Sequence, residues 1–67
     1  MAVTVKEVMF YEKSAWQKDS CLFCNEYATL EAVVGQGHVC SAIHCCEKDI
    51  CKNEAAKMAV MYINALL

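Results

Sequence analysis

Three features of the sequence predict a small metal-stabilised α+β fold: a paired thiol motif, a glycine-centred β-hairpin and a long C-terminal helix. The thiol motif is Cys21-Leu22-Phe23-Cys24, answered downstream by Cys45-Cys46-Glu47-Lys48-Asp49-Ile50-Cys51. Two β-rich runs, 27–34 and 39–45, flank the turn Gly35-Gln36-Gly37-His38. From Asp49 to Leu66 the pattern is helical, with Ala55, Ala56, Lys57, Met58, Ala59 and Met61 as good helix formers.

Size sets the terms for these elements. A chain of 67 residues makes one domain, spanning 1–67, near the lower limit of what a hydrophobic core can hold. Such chains usually need disulfides or a structural metal, and six cysteines supply either. No secretory leader is visible, because Lys6 and Glu7 interrupt 1–9. No run approaches the roughly 18 apolar residues of a spanning helix. A cytoplasmic setting is therefore expected, where thiols stay reduced and bind metals more readily than one another.

Residues 2–18 carry two competing signals. Thr4-Val5-Lys6-Glu7 has the form of a capping box, and Val5, Val8, Met9, Ala15 and Trp16 continue at helical spacing. The β-branched and aromatic residues of 3–5 and 8–11 favour a strand instead. The balance leans to helix, with Trp16 as a core anchor over the thiols. Asp19 and Ser20 then lead into the CxxC turn, whose backbone N–H groups can point at the sulfurs and offset thiolate charge.

Along the second hairpin strand Val39, Ser41, Ile43 and Cys45 face one way, and Cys40, Ala42, His44 and Cys46 the other. Asp49 is placed to cap the helix. Ala56, Ala59, Val60, Ile63 and Leu67 form its core face. Met58, Met61, Tyr62, Ala65 and Leu66 extend apolar character beyond that face, leaving a narrow polar strip of Asn53, Glu54, Lys57 and Asn64. A surface helix needs one apolar stripe somewhat over 100° wide, so this surplus marks a partner-binding surface unless the N-terminal segment covers it.

Zinc takes four soft ligands in a tetrahedron, usually as two pairs from separate turns. Cys21, Cys24, Cys46 and Cys51 are the expected set, for one structural ion, with Cys45 as the alternative to Cys46. Sets that use Cys40, His38 or His44 remain open. Either histidine alone reads as a solvent-facing residue, and Cys40 as a small buried hydrophobe. The competing use of six cysteines is three disulfides. A closed CxxC bridge, however, is strained and typical of redox enzymes.

The residues Cys21-Leu22-Phe23-Cys24, the hairpin around Gly35–Gly37 and His44-Cys45-Cys46 through Cys51 resemble a treble-clef zinc finger over roughly 19–62. The pattern is similar to the hairpin-plus-helix end of MYND- and TRASH-type fingers and to small zinc-finger proteins of bacteria and their phages. It departs from those fingers by its Cys-Cys pair and by the four residues between Cys46 and Cys51. The resemblance implies a CxxC knuckle, a hairpin and a helix whose start supplies the last ligand. It implies metal binding and no particular activity.

No phosphate-cradling loop or Ser-His-Asp arrangement is present, and a four-thiolate zinc site leaves no position for water, so catalysis is not expected. Eight carboxylates against six lysines give a formal charge of −2, which becomes −4 with four thiolates on one zinc ion. The chain has no arginine. Both facts weigh against nucleic-acid binding, although Lys48, Lys52 and Lys57 cluster on or near one helix. Apolar residues make up 58 %, more than a monomer of this size can hide. The expected function is a zinc-stabilised interaction module that binds a protein or itself through the C-terminal helix, with Phe10, Tyr11 and Trp16 as possible additions. The alternatives are a nucleic-acid-binding finger and a small phage-type inhibitor acting through an acidic surface. Neither a membrane nor a small-molecule substrate is expected.

Overall fold

In a computed structural model, which describes residues 3–13 and 19–67, three antiparallel strands and one helix follow a short 3₁₀ turn at Val5–Glu7. The strands are β1 (Met9–Glu12), β2 (Leu30–Gln36) and β3 (Val39–Cys45), and the helix is α1 (Asp49–Leu66). The sheet order is β1-β2-β3. β1 pairs with β2 from Met9↔Val33 to Glu12↔Leu30, and β2 with β3 from Leu30↔Cys45 to Gln36↔Val39. Among the described residues, no helix is long and apolar enough to cross a membrane.

The lean towards an N-terminal helix is corrected. Thr4 makes no side-chain cap bond, and the turn closes instead through Glu7 N–H to the Thr4 carbonyl at 3.0 Å. The helical stripe has nothing to bury it, since Val5 and Met9 are exposed while Val3 and Val8 enter the core. Phe10 and Tyr11 gain cross-strand partners in β2, which a lone amphipathic turn does not offer. The expected continuation through Ala15 and Trp16 lies outside the described residues.

The hairpin is tighter than expected. β2 runs through Gly35 and Gln36, so the loop is Gly37-His38 alone. Gly37 has φ +64° and His38 does not share the left-handed region, as a type II′ turn requires. At its other end β2 begins at Leu30 rather than Tyr27, which lies outside the strand in an isolated bridge to Ser20.

Alternation along β3 sends Ser41, Ile43 and Cys45 into the contact with α1 and leaves Cys40 and Ala42 exposed on the outer face. The expectation that Cys40 is buried is thereby corrected: nothing among the described elements covers that stretch of the sheet. The core is built from small side chains. Ala32 on the sheet and Ala55 and Ala59 on α1 are fully buried, with Ile63, Val34, Cys21 and Cys45 as the largest buried groups. Alanines on both sides let the helix approach the sheet closely. Ala55 thus belongs to the core line, whereas Leu67 is exposed.

α1 lies over β3 and β2, and the N-terminal segment lies beside it. Asn64 clamps that segment, accepting from Val3 N–H at 2.9 Å and donating to the Val3 carbonyl at 3.2 Å. Lys52 places its ammonium 5.1 Å from the Phe10 ring centroid. Asp49 is the first helical residue and not the cap. Lys48 occupies that position without a side-chain cap bond, so Asp49 acts only through its charge in the first turn.

Candidate metal centre

The CxxC sits in a turn held at both ends. Cys21 N–H donates to the Glu26 carbonyl at 2.6 Å and Asn25 N–H to the Cys21 carbonyl at 3.1 Å. Asn25 closes the turn at φ +62°, a conformation that asparagine tolerates better than most residues. Ala28 N–H donates to the Asp19 carbonyl at 2.9 Å, pinning the chain on either side. The fold brings the second pair from two different elements. Cys46 lies just past the end of β3, and Cys51 lies in the first turn of α1.

The sulfurs of Cys21, Cys24, Cys46 and Cys51 all lie within 4.8 Å of one another. Four sulfurs bound at about 2.3 Å to one tetrahedral ion would stand about 3.8 Å apart. Cys24 Sγ and Cys46 Sγ are 3.6 Å apart, close to that spacing. A soft, all-sulfur donor set of this size fits a metal ion. The quartet takes in Cys46, while Cys45 is fully buried between β3 and α1. Neither histidine belongs to it: His38 is in the hairpin loop, and His44 is on the outer sheet face. All six cysteines are free thiols.

The environment sorts the thiols. Burial pushes Cys21 up, but backbone N–H groups of Phe23, Cys46 and Cys24 outweigh it and bring the thiol down to about 6. Phe23 and Cys24 are amide donors of the kind the turn was expected to supply, and Cys46 adds one from beyond β3. Cys51 is pushed up by burial and by the neighbouring sulfurs. At Cys24 a backbone bond from Glu26 favours the thiolate, yet burial and the Cys46 and Cys21 sulfurs leave the thiol raised. Burial also raises Cys45. Cys21 is thus poised to carry charge, and Cys24 and Cys51 hold their protons until a cation arrives. Lys48 stands at the rim, paired with Glu26, to which the Cys24 thiol donates at 3.8 Å.

A second cluster, which the sequence did not disclose, joins the sheet to the knuckle. The Lys13 side chain is 1 % exposed, and its Nζ lies 2.7 Å from Asp19 Oδ2, 3.5 Å from Glu31 Oε1 and 2.9 Å from His44 Nδ1. Desolvation favours the neutral amine, but the hydrogen bond and charge of Asp19, together with Glu31, raise Lys13 overall. The Lys13 hydrogen bond in turn holds Asp19 below its ordinary value. Glu31 and His44 face each other across β2 and β3, and Lys13 N–H bonds the Thr29 carbonyl at 2.9 Å, extending the β1 register. Strand pairing brings Lys13, Glu31 and His44 together, and the Ala28–Asp19 backbone bond sets Asp19 beside them; neither follows from local sequence pattern.

Of the residues singled out for partner binding, Met58 is half-buried against the core, and Ala65 is exposed. Met61 is 60 %, Tyr62 50 % and Leu66 64 % exposed. Compared with family models, with curated proteins and with solved structures, the chain matches none.

Proposed function

We propose that this chain is a zinc-stabilised protein-interaction module. One zinc ion on Cys21, Cys24, Cys46 and Cys51 holds a treble-clef-like frame, and the apolar outer part of α1 binds a protein partner or a second copy. Zinc is the favoured ion because a compact four-thiolate set suits its tetrahedral preference. A site with four protein ligands has no open position, which supports a structural and not a hydrolytic role. The order of knuckle, hairpin and helix agrees with the treble-clef arrangement.

The observation that carries the interaction reading is the exposure of Met61, Tyr62 and Leu66 on a helix rooted at its start by Cys51. Exposed apolar side chains that adjoin on a helix surface mark contact sites when they form a contiguous patch. The lysines that could suggest nucleic acid are otherwise engaged: Lys48 with Glu26, Lys52 over Phe10 and Lys57 with Glu54.

The test places a photo-cross-linking residue at Met61 or, as control, at exposed Glu7 of the metal-loaded chain in the cells that make it. Discrete adducts from position 61 alone are expected, whether to another protein or to a second copy. Equal adducts from both positions, or none from position 61, overturn the reading.

A further inference from the structure

We propose that two copies of this chain pair antiparallel through β3, with the apolar flanks of their α1 helices meeting above the seam. The inference rests on the interaction reading above and names its partner. In the order β1-β2-β3, β3 is an edge strand of seven residues. Its pairing with β2 runs one-to-one along the whole strand, without a bulge. It contains no lysine, carboxylate or proline, the residues with which proteins usually blunt an edge. The opposite edge, β1, is four residues long and ends on Glu12.

Hydrogen-bond directions follow from the turn. A two-residue loop makes Gln36↔Val39 a bonded pair, and bonded pairs then alternate through Val34↔Ser41, Ala32↔Ile43 and Leu30↔Cys45. The N–H and C=O groups of Cys40, Ala42 and His44 therefore point away from β2. Among the described residues, no backbone bond outside the ladder reaches them. A two-fold axis at Ala42 uses all three, setting Ala42 opposite its own copy and Cys40 opposite His44. The interior residues Ser41 and Ile43, and Val39 and Cys45, then also stand opposite one another.

The helix makes the same edge apolar. Asn64 and Lys52 tie one side of α1 to Val3 and to Phe10 of β1. Tyr62 is two residues from Asn64, about 200° round the axis, and Met58, Met61 and Ala65 lie on the same flank as Tyr62. That flank overhangs β3. A two-fold perpendicular to the sheet puts both helices on one face, and α1 (~27 Å) runs back along β3 (~23 Å), so the axis crosses α1 near its middle, around Met58.

A second copy is the occupant that these features fit. The β3 edge carries no lysine or carboxylate, and Glu54, which shares the flank with Met58, Met61, Tyr62 and Ala65, is paired at 3.8 Å with Lys57 of its own helix, so self-approach opposes no unpaired like charges. The contact would be about 23 Å long and two ~10 Å layers deep. That footprint, about 460 Å², is smaller than the ~800 Å² per partner of a standard interface, so the dimer would rest on the backbone bonds of the seam as well as on apolar burial.

Sedimentation equilibrium of the metal-loaded chain over a wide concentration range tests the proposal. The native chain is expected at twice its monomer mass. Ala42→Pro removes an outward N–H that the β2 ladder does not use, and Ala42→Lys sets two ammonium groups against each other at the axis. Each variant should weaken the dimer at least tenfold while keeping the helical circular dichroism of the native chain, and Met61→Lys should do the same. Tyr11→Lys, on the outer face of β1, should leave the dimer unchanged. A native chain that is monomeric throughout overturns the proposal. A dimer lost with Met61→Lys but kept in both Ala42 variants overturns the β3 seam and leaves the helix as an interaction surface. A dimer kept in all three variants overturns both the seam and the helix-to-helix contact of this proposal, and the cross-linking experiment at position 61 then judges the helix surface separately.

Discussion

Cys45 ends β3 pointing into the contact with α1, whereas Cys46 starts the turn that carries its sulfur to Cys21, Cys24 and Cys51. Adjacent thiols thus have separate roles, and single substitutions should separate them. Cys46→Ala is expected to abolish the four-thiolate absorption of a cobalt-substituted sample, and Cys45→Ala to keep it. The second change should instead lower stability by about 1–2 kcal/mol through a small core cavity, read from denaturant unfolding of the metal-loaded chain. The Lys13 cluster invites a similar test. Breaking a fully buried ion pair costs about 3–5 kcal/mol, but Asp19 is 44 % exposed and water screens the pair. Lys13→Ala is therefore expected to cost about 1–2 kcal/mol in the same assay. Because Asp19 is lowered and Lys13 raised, the pair stabilises the fold above the ordinary aspartate range and below the ordinary lysine range. The cost of Lys13→Ala should accordingly be flat between about pH 6 and about pH 9, the plateau of that window.

At the scale of elements, the helix and hairpin were legible because each carries its own signal. Alanine-rich periodicity marks α1 and glycine marks the turn. β1 was not legible, because its partner lies in β2 and only pairing makes a strand of Met9-Phe10-Tyr11-Glu12. The same blindness hid the Lys13 cluster and misplaced Cys40, whose burial depends on what covers the outer face. The four cysteines stood out because ligand spacing is local within each pair. The choice between Cys45 and Cys46 was not, since it turns on where β3 stops. The quartet and the exposed Glu26–Lys48 ion pair join the CxxC turn to the start of α1, and an exposed pair contributes little, so the helix should depend on the ion. Structural zinc contributes on the order of 10–16 kcal/mol in small fingers, against about 3–5 kcal/mol from a core of this size. Treatment with a strong chelator is expected to abolish most helical circular dichroism; a cooperative thermal melt that persists without metal would contradict this.

Across the whole molecule, proton balance links the centre to its solution conditions. Cys24 and Cys51 are held protonated and Cys21 is lowered to about 6, so a cation that binds four thiolates must displace protons. Apparent metal affinity should rise with pH. Calorimetric titrations in buffers of different ionisation enthalpy should show about two or more protons released per ion near neutral pH. A binding heat independent of buffer would contradict the assigned protonation.

The two-residue turn at Gly37-His38 also sets an order of assembly. β1 must find partners far along the chain, from Glu12↔Leu30 to Met9↔Val33, but the hairpin can zip outward from Gln36↔Val39 on a timescale of about 1–10 μs. Its last rung, Leu30↔Cys45, delivers Cys46 beside the knuckle, so the clamp is completed only when the zipper has run its length. Metal capture is then a clock for strand pairing. Gly37→Val, which forces a β-branched residue to φ +64°, should slow uptake in a stopped-flow trace although it lies at the far end of the hairpin from every sulfur.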